Sequence, residues 1–342
     1  MMDDLPKRDA AAPLDEFHAA IKQSNMVALW EWNDARANRP TQSEPAFHWR
    51  WRDVEPVFDQ AVAATDMNAA ERRVLQLKNP SFPADYISVT ANINCGFQIL
   101  MPGERARPHR HNMNALRFIV EGEGAETVVD GKSCPMEVGD LILTPAMTWH
   151  EHVHRGTRRV VWMDSLDSPL VRHLRCVLFE PGPAKAYPEL PADSAFTRAG
   201  FAPPQIAATA HSPIFRYAAA DAVAALEAMP AAGDGSRSLR YVNPTTGGAV
   251  MSLMDCYLLQ LPGGSETRGY RTTSNAACLV AEGEGSSSIG DETVHWQKYD
   301  LFTLPAWQWV THKAARPGAR LFQVTDREIL RRLELLRDEV AR

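Results

Sequence analysis

The stretch PGERARPHRHNMNALRFIVEGEG, Pro102–Gly124, followed by GDLILTPAMTWHEH, Gly139–His152, decides how the rest of the chain is read. His109 and His111 are separated by one residue, and on a β-strand residues i and i+2 point to the same face. His150 follows a Gly139-Asp140 turn and Pro145, so it belongs to a later strand. Three imidazoles from two strands can hold one metal ion and leave about half of an octahedral coordination shell open.

Working outward, the same order of residues occurs twice. Pro102-Gly103, Glu121-Gly122-Glu123-Gly124, Gly139-Asp140, Pro145 and Trp149 are matched by Pro262-Gly263, Glu282-Gly283-Glu284-Gly285, Asp300, Pro305 and Trp309. Each half reads as short strands between glycine turns, an antiparallel barrel or jelly roll. The fold expected is all-β, two such barrels in one chain with helices at the N- and C-termini. The boundaries expected are a helical arm at 1–84, a metal-binding barrel at 85–180, a linker with a helix at 181–245, a degenerate metal-free barrel at 246–326 and a terminal helix at 327–342. Locally, residues 14–37 predict one or two helices, 69–77 a short helix, 85–100 a strand, 219–229 a helix, and 326–342 an amphipathic helix with Ile329, Leu330, Leu333, Leu336 and Val340 on one side.

Composition narrows the function classes. The chain has 342 residues, is 45% hydrophobic and carries a formal charge of −6. No basic patch points to nucleic acid. No apolar run reaches the roughly 18 residues of a membrane span, and Met1–Asp15 lacks the apolar core of a signal peptide. Five scattered cysteines without C-x-x-C spacing read as reduced thiols of a cytoplasmic protein.

Gly103, His109-x-His111 and Gly122, then Gly139, Pro145 and His150, resemble the two cupin motifs. The cupin pattern has a glutamate separated from the second histidine by three or four intervening residues. Here those positions are Ala115 and Leu116, so the site resembles a three-histidine cupin. Three neutral imidazoles leave a divalent iron its full charge, although imidazole also suits Zn, Cu and Ni. In the second half, His109, His111 and His150 fall on Tyr270, Thr272 and Val310, which cannot form such a site.

Arg117 lies six residues after His111 and shares its face, where a substrate carboxylate or a structural ion pair with Asp164 or Asp167 would satisfy it. His152 shares the face of His150, either to contact a phenolic oxygen as acid or base, or to sit at the barrel rim facing water.

The longer run Pro102–Gly131, with Gly139–His152, Trp162–Val171, AERRVLQLKNP at Ala70–Pro80 and HWRWRDVEPVF at His48–Phe58, is similar to the gentisate and salicylate 1,2-dioxygenases. That resemblance implies a homotetrameric bicupin. It implies Fe(II) on His109, His111 and His150, and catalytic roles for Arg117 and His152. It implies a substrate pocket of Arg73, Gln98, Arg117, His152 and Asp164, with Arg72 as the neighbour that a one-residue shift would substitute for Arg73. The implied reaction joins O2 to a small aromatic acid, gentisate or another 5-substituted salicylate such as 5-nitrosalicylate, and opens the ring between C1 and C2. The resembled family carries Tyr or Trp near the place of Asn94. An amide there either enlarges the pocket and adds a donor beside a 5-hydroxyl or 5-nitro group, or faces outward. The rival reading is a non-catalytic bicupin that binds small aromatic acids.

Overall fold

The protein is described by a computed structural model covering residues 11–31, 39–40, 44–197 and 207–341. Met1–Thr41 and Gln42–Arg342 are separate units. In the first, α1 (Ala11–Gln23) is followed by a single 3-10 turn at Leu29–Glu31, with Phe17 stacked on Trp30. The expectation of helix over 32–37 lies outside the described residues.

In the second unit, β1 (His48–Trp49), α2 (Trp51–Ala64), α3 (Met67–Ala70) and β2 (Val74–Gln76) precede the first barrel. That barrel is built from β3 (Asn94–Leu100), β4 (Arg105–His111), β5 (Ala115–Glu121), β6 (Ala125–Val129), β7 (Lys132–Met136), β8 (Leu141–Thr144), β9 (His150–His154) and β10 (Val160–Leu166), then α4 (Ser168–His173) and β11 (Phe179–Pro181). Between the barrels come β12 (Arg216–Tyr217), α5 (Ala219–Ala228) and β13 (Arg237–Arg240). The second barrel repeats the first with β14 (Asp255–Pro262), β15 (Tyr270–Thr272), β16 (Ala276–Glu282), β17 (Glu284–Ile289), β18 (Glu292–Gln297), β19 (Leu301–Leu304), β20 (Val310–Ala314) and β21 (Gly318–Thr325), then α6 (Arg327–Arg332) and β22 (Asp338–Val340). Each barrel is a six-stranded sheet facing a five-stranded one, all pairings antiparallel: β12-β8-β5-β10-β3-β2 over β11-β4-β9-β6-β7, and β1-β19-β16-β21-β14-β13 over β18-β17-β20-β15-β22.

The glycine turns of the repeat have a steric cause. Gly122 and Gly283 both adopt positive φ, and a Cβ on either would lie 2.3 Å from a backbone oxygen of the adjacent strand.

Alternation along the six-stranded sheets feeds different cores. Leu100, Ile119, Ile142 and Trp162 fill the first barrel, and Cys278, Val280, Phe302 and Leu321 fill the second. The opposite faces, with Phe97, Phe118 and Met163 on one barrel and Leu279, Phe322 and Val324 on the other, share one core that joins the barrels back to back. Phe118 and Phe322 stack across it at 4.2 Å.

The flanking segments cross over. β1 pairs with β19 of the second barrel, and Asp300 accepts from the Trp51 amide at the start of α2, at 2.7 Å. β12 pairs with β8 of the first barrel, and Asp140 accepts from the Ala219 amide at the start of α5, at 2.8 Å. The 1–84 segment is therefore not a purely helical arm: β1 completes the distant barrel and β2 pairs with β3.

Three local expectations are corrected. The 69–77 helix is the four-residue α3 followed by β2. The 85–100 strand begins only at Asn94, because Ser88 and Thr90 bind backbone groups within 88–93 and close a loop there. The terminal helix stops at Arg332. Glu334 takes φ of 60°, and the chain returns as β22 along β15, leaving Leu333, Leu335 and Val340 exposed. The same helix-and-strand tail, α4 and β11, follows the first barrel.

Candidate metal centre and substrate pocket

β4 and β9 are neighbours, with His109 directly opposite His150. The bulge between Ala106 and His109 shifts the register so that His109, His111 and His150 aim at one point. Their ligand atoms lie within 4.8 Å of one another, and among the described residues they are the one group of three or more His, Cys, Asp or Glu side chains so arranged.

Each ring is oriented by a backbone carbonyl. Nδ1 donates to Arg107 O at 2.9 Å in His109, to Met113 O at 2.8 Å in His111 and to Thr148 O at 3.0 Å in His150. The carbonyls fix the tautomer and turn three Nε2 lone pairs inward, the support that ligating histidines require. His150 Nε2 is buried and has no hydrogen-bond partner. Neutral, pre-oriented nitrogens without a protein carboxylate fit a divalent ion with open positions.

Burial, and the nearby Arg72 and Arg117 charges, pull His109 down to about 3 and His111 to about 4, with His150 lowered as well. These folded-state values lie below that of an unfolded histidine. The stability they represent is complete above about pH 6.5 and is lost as the pH falls toward 4 and below. By pH 5 roughly 2 kcal/mol has been lost for each of His109 and His111. The metal-free protein is therefore expected to melt at progressively lower temperature between pH 7 and pH 5, measured by calorimetry after chelation. A flat profile would contradict buried neutral rings.

Behind the histidines, β3, β10 and β5 present one face. Gly96, Asp164 and Arg117 are in register across it, as are Gln98, Trp162 and Ile119. Arg117 is buried, donates to Thr144 Oγ1 at 2.7 Å and places Nε 3.2 Å from Asp164 Oδ1. Asp164 also accepts from Trp162 Nε1 at 3.1 Å. Burial pushes the arginine down and the carboxyl up, each partly restored by the other. The ion pair expected as one alternative for Arg117 is thus present.

His152 is fully buried rather than at a wet rim. Its Nδ1 is 3.0 Å from Thr127 Oγ1. That hydroxyl also lies 3.5 Å from Met136 Sδ, and the Nε2 of His152 is buried without a partner. Gln98 Nε2 is likewise buried and unpartnered. Asn94 faces inward on the same strand face. Its Nδ2 donates to Gln76 Oε1 at 2.7 Å, leaving Oδ1 buried without a partner, so the amide offers an acceptor where a donor was expected.

Arg73 is the misplaced residue. It turns away to bind Glu104 through two 2.9 Å contacts and the Thr65 carbonyl. Arg72, one position earlier on the opposite face of the strand approach, reaches the histidines instead: Nη1 donates to His109 Nε2 at 2.7 Å. Arg72 has no carboxylate within ion-pair distance among the described residues, and its nearest opposing charges are Asp164 and Glu71. Thr127, Thr144 and Phe179, whose ring stacks on His109 at 5.3 Å, were not singled out by sequence.

In the second barrel, Tyr270 is opposite Val310 as His109 is opposite His150. Ser287 holds His312 Nδ1 at 2.7 Å as Thr127 holds His152. The metal position is replaced by a cavity of about 270 Å3 lined by Tyr270, Thr272, Val310 and Gln323.

A jelly-roll barrel carrying three convergent, carbonyl-anchored imidazoles from neighbouring strands defines a cupin metal centre. Residues 96–166 match the cupin domain model. The chain is 36% identical to the gentisate 1,2-dioxygenase of a Ralstonia species, over 91% of this chain and 87% of that one. It is 32% identical to the 5-aminosalicylate 1,2-dioxygenase of a Comamonas species, over 95% and 90%. The structure superposes on the salicylate 1,2-dioxygenase of Pseudoaminobacter salicylatoxidans, solved as an adduct with gentisate, with a TM-score of 0.88 at 30% identity over 98% and 96% of the two chains. The chain belongs to the gentisate and salicylate 1,2-dioxygenase family, ring-cleaving enzymes of bicupin fold.

Proposed function

We propose that the protein is an Fe(II)-dependent 1,2-dioxygenase that opens gentisate, or another salicylate bearing a 5-substituent, between C1 and C2. Both atoms of O2 enter the product, a linear 2-oxo diacid. The observation that carries this reading is the set of unpartnered buried polar atoms around the three histidines: His150 Nε2, His152 Nε2, Gln98 Nε2 and Asn94 Oδ1. Buried polar atoms without partners are rare in folded proteins and mark places where a ligand completes the bonding.

His109, His111 and His150 would hold the iron, which would supply the redox chemistry that zinc lacks. The chain's own groups do the rest. Two guanidiniums, Arg72 and Arg117, face one carboxylate, Asp164, which leaves a positive surplus suited to an anionic acid. Arg117 receives the carboxylate, held by Thr144 and Asp164. His152 Nε2, buried and without a protein partner, hydrogen-bonds the ortho-hydroxyl oxygen and orients it. Gln98 Nε2 donates to a substrate oxygen. Asn94 Oδ1 faces the ring substituent, and an acceptor there favours a hydroxyl or amino group over nitro.

Oxygen uptake by Fe(II)-loaded protein with gentisate, 5-aminosalicylate, salicylate and 5-nitrosalicylate tests the proposal. Uptake is expected, highest with the two donors, with product mass raised by one O2. Absence of uptake with every acid would reject it in favour of an acid-binding bicupin. Asn94→Tyr is expected to shift the ranking away from the donor-bearing acids by about tenfold, since one lost hydrogen bond and a filled gap act together. An unchanged ranking would remove Asn94 from the pocket account.

Five unpaired thiols support a cytoplasmic location. Among the described residues no helix is long and apolar enough to cross a membrane. A homotetramer is part of the same proposal, for which the exposed apolar Leu174, Val177 and Leu178 offer contact surface; sedimentation analysis checks it.

A further inference from the structure

Phe179 lies outside both sequence motifs, on the edge strand β11, directly opposite His111. Its ring does two things at once. It stacks on the His109 imidazole, with centroids 5.3 Å apart and planes 26° from parallel. It also carries the Arg72 guanidinium 5.0 Å from its centre. Arg72 in turn touches His109 Nε2 at 2.7 Å. The three side chains close a triangle at the rim of the metal centre.

The second barrel is an internal control on this triangle. β22 runs along β15 as β11 runs along β4, with Thr272 opposite Asp338 where His111 is opposite Phe179. Asp338 is no aromatic shelf: it forms a bidentate pair with Arg327 at 2.8 and 2.6 Å. Aligning β13 with β2 through Ser238 opposite Leu259 and Val74 opposite Gln98 puts Ser236 at the place of Arg72. The barrel without the three histidines therefore lacks the aromatic ring and the arginine as well.

His109 Nε2 has one lone pair. A metal ion on that nitrogen takes it, and Arg72 then cannot donate to the same atom. The Phe179 ring face is the contact that remains to hold a long, flexible cation in place. We propose that Phe179 is a positioning residue: it is the shelf that keeps the Arg72 guanidinium at the mouth of the three-histidine centre, ready for an anionic oxygen of the aromatic acid. This rests on the reading of the site as one that binds such an acid.

The test compares Phe179→Leu, which keeps apolar bulk, with Phe179→Tyr, which keeps the ring, and with Arg72→Met. Three quantities are read: KM and kcat of the Fe(II)-loaded enzyme for gentisate, Kd for salicylate by calorimetry on the redox-inert zinc-loaded protein, and zinc affinity by chelator competition. Phe179→Leu is expected to raise KM and the salicylate Kd together by about five- to twentyfold, with kcat within about twofold, while Phe179→Tyr stays near wild type. Zinc affinity is expected to stay within about threefold, because the carbonyl-anchored Nδ1 bonds still orient His109. Combining Phe179→Leu with Arg72→Met is expected to add nothing to Arg72→Met alone. KM and Kd within twofold of wild type in Phe179→Leu, with Arg72→Met impaired, would overturn the shelf and leave the pocket reading intact. So would a parallel fall in zinc affinity and melting temperature, the mark of a purely structural ring. Unchanged Kd in Arg72→Met would overturn the role of Arg72 as anion receptor and the shelf with it. No salicylate binding by wild type would overturn the function itself.

Discussion

His150→Ala is expected to abolish ring cleavage and to drop bound metal from about one ion per chain to a small fraction, measured by elemental analysis alongside oxygen uptake. His150 is the ligand that joins β9 to the pair on β4, and it is buried with Nε2 free of any protein donor. Losing one of three protein ligands costs far more than the 10- to 100-fold typical of an outer support, so a loss of at least about a thousandfold is expected. Fold is expected to survive, since a buried uncharged ring is exchanged for a methyl group next to a polar cluster. Retention of metal and activity in His150→Ala would sink the three-imidazole centre.

Arg117→Met comes second in size and separates two roles. Removing one partner of a buried pair leaves Asp164 uncompensated and is expected to destabilise by about 3–5 kcal/mol. It also removes the receptor for the substrate carboxylate, and kcat/KM is expected to fall by about 10²- to 10³-fold, in line with loss of a buried charge-assisted hydrogen bond. Pairing it with Asp164→Asn resolves the ambiguity. The asparagine oxygen still accepts from Trp162 Nε1, the stranded charge is gone, and melting temperature is expected to recover. Activity is expected to stay low. If the double variant regains turnover, Arg117 is only an ion-pair partner and the carboxylate binds elsewhere.

The histidine trio and the duplicated barrel were legible because both rest on short-range rules. A period of two puts His109 and His111 on one face, and the Gly-Asp and Glu-Gly turns mark strand ends in both halves. Asp164 beside Arg117 was legible as one of two alternatives. The arginine pair was not. Whether Arg72 or Arg73 turns inward depends on where β2 starts, and the long-range contacts of Arg73 with Glu104 and of Arg72 with His109 decide it. Phe179 was invisible because an edge strand after α4 brings it back to β4 from 68 residues beyond His111 in sequence. The C-terminal segment misled because Leu333, Leu336 and Val340 fit helical spacing, while the backbone reversal at Glu334 and pairing along β15 depend on a neighbour no local pattern reveals.

The crossed flanking segments bear on how the chain is made. His48 finds Asp300 across 252 residues, so the first strand of the large unit emerges from the ribosome long before its partner exists. Until then β1 has no sheet to join, although Trp51 and Phe58 of α2 can already pack on Phe97 of the first barrel, and during synthesis the strand needs shielding from other nascent chains. The dependence is one-sided in the strands: the first barrel draws all of its strands from β2 to β12, whereas the second takes its edge strand β1 from ahead of the first. Expressed alone, each would leave half of the shared core bare and the second would also lack the partner of β19, and the pieces are expected to regain solubility only when produced together.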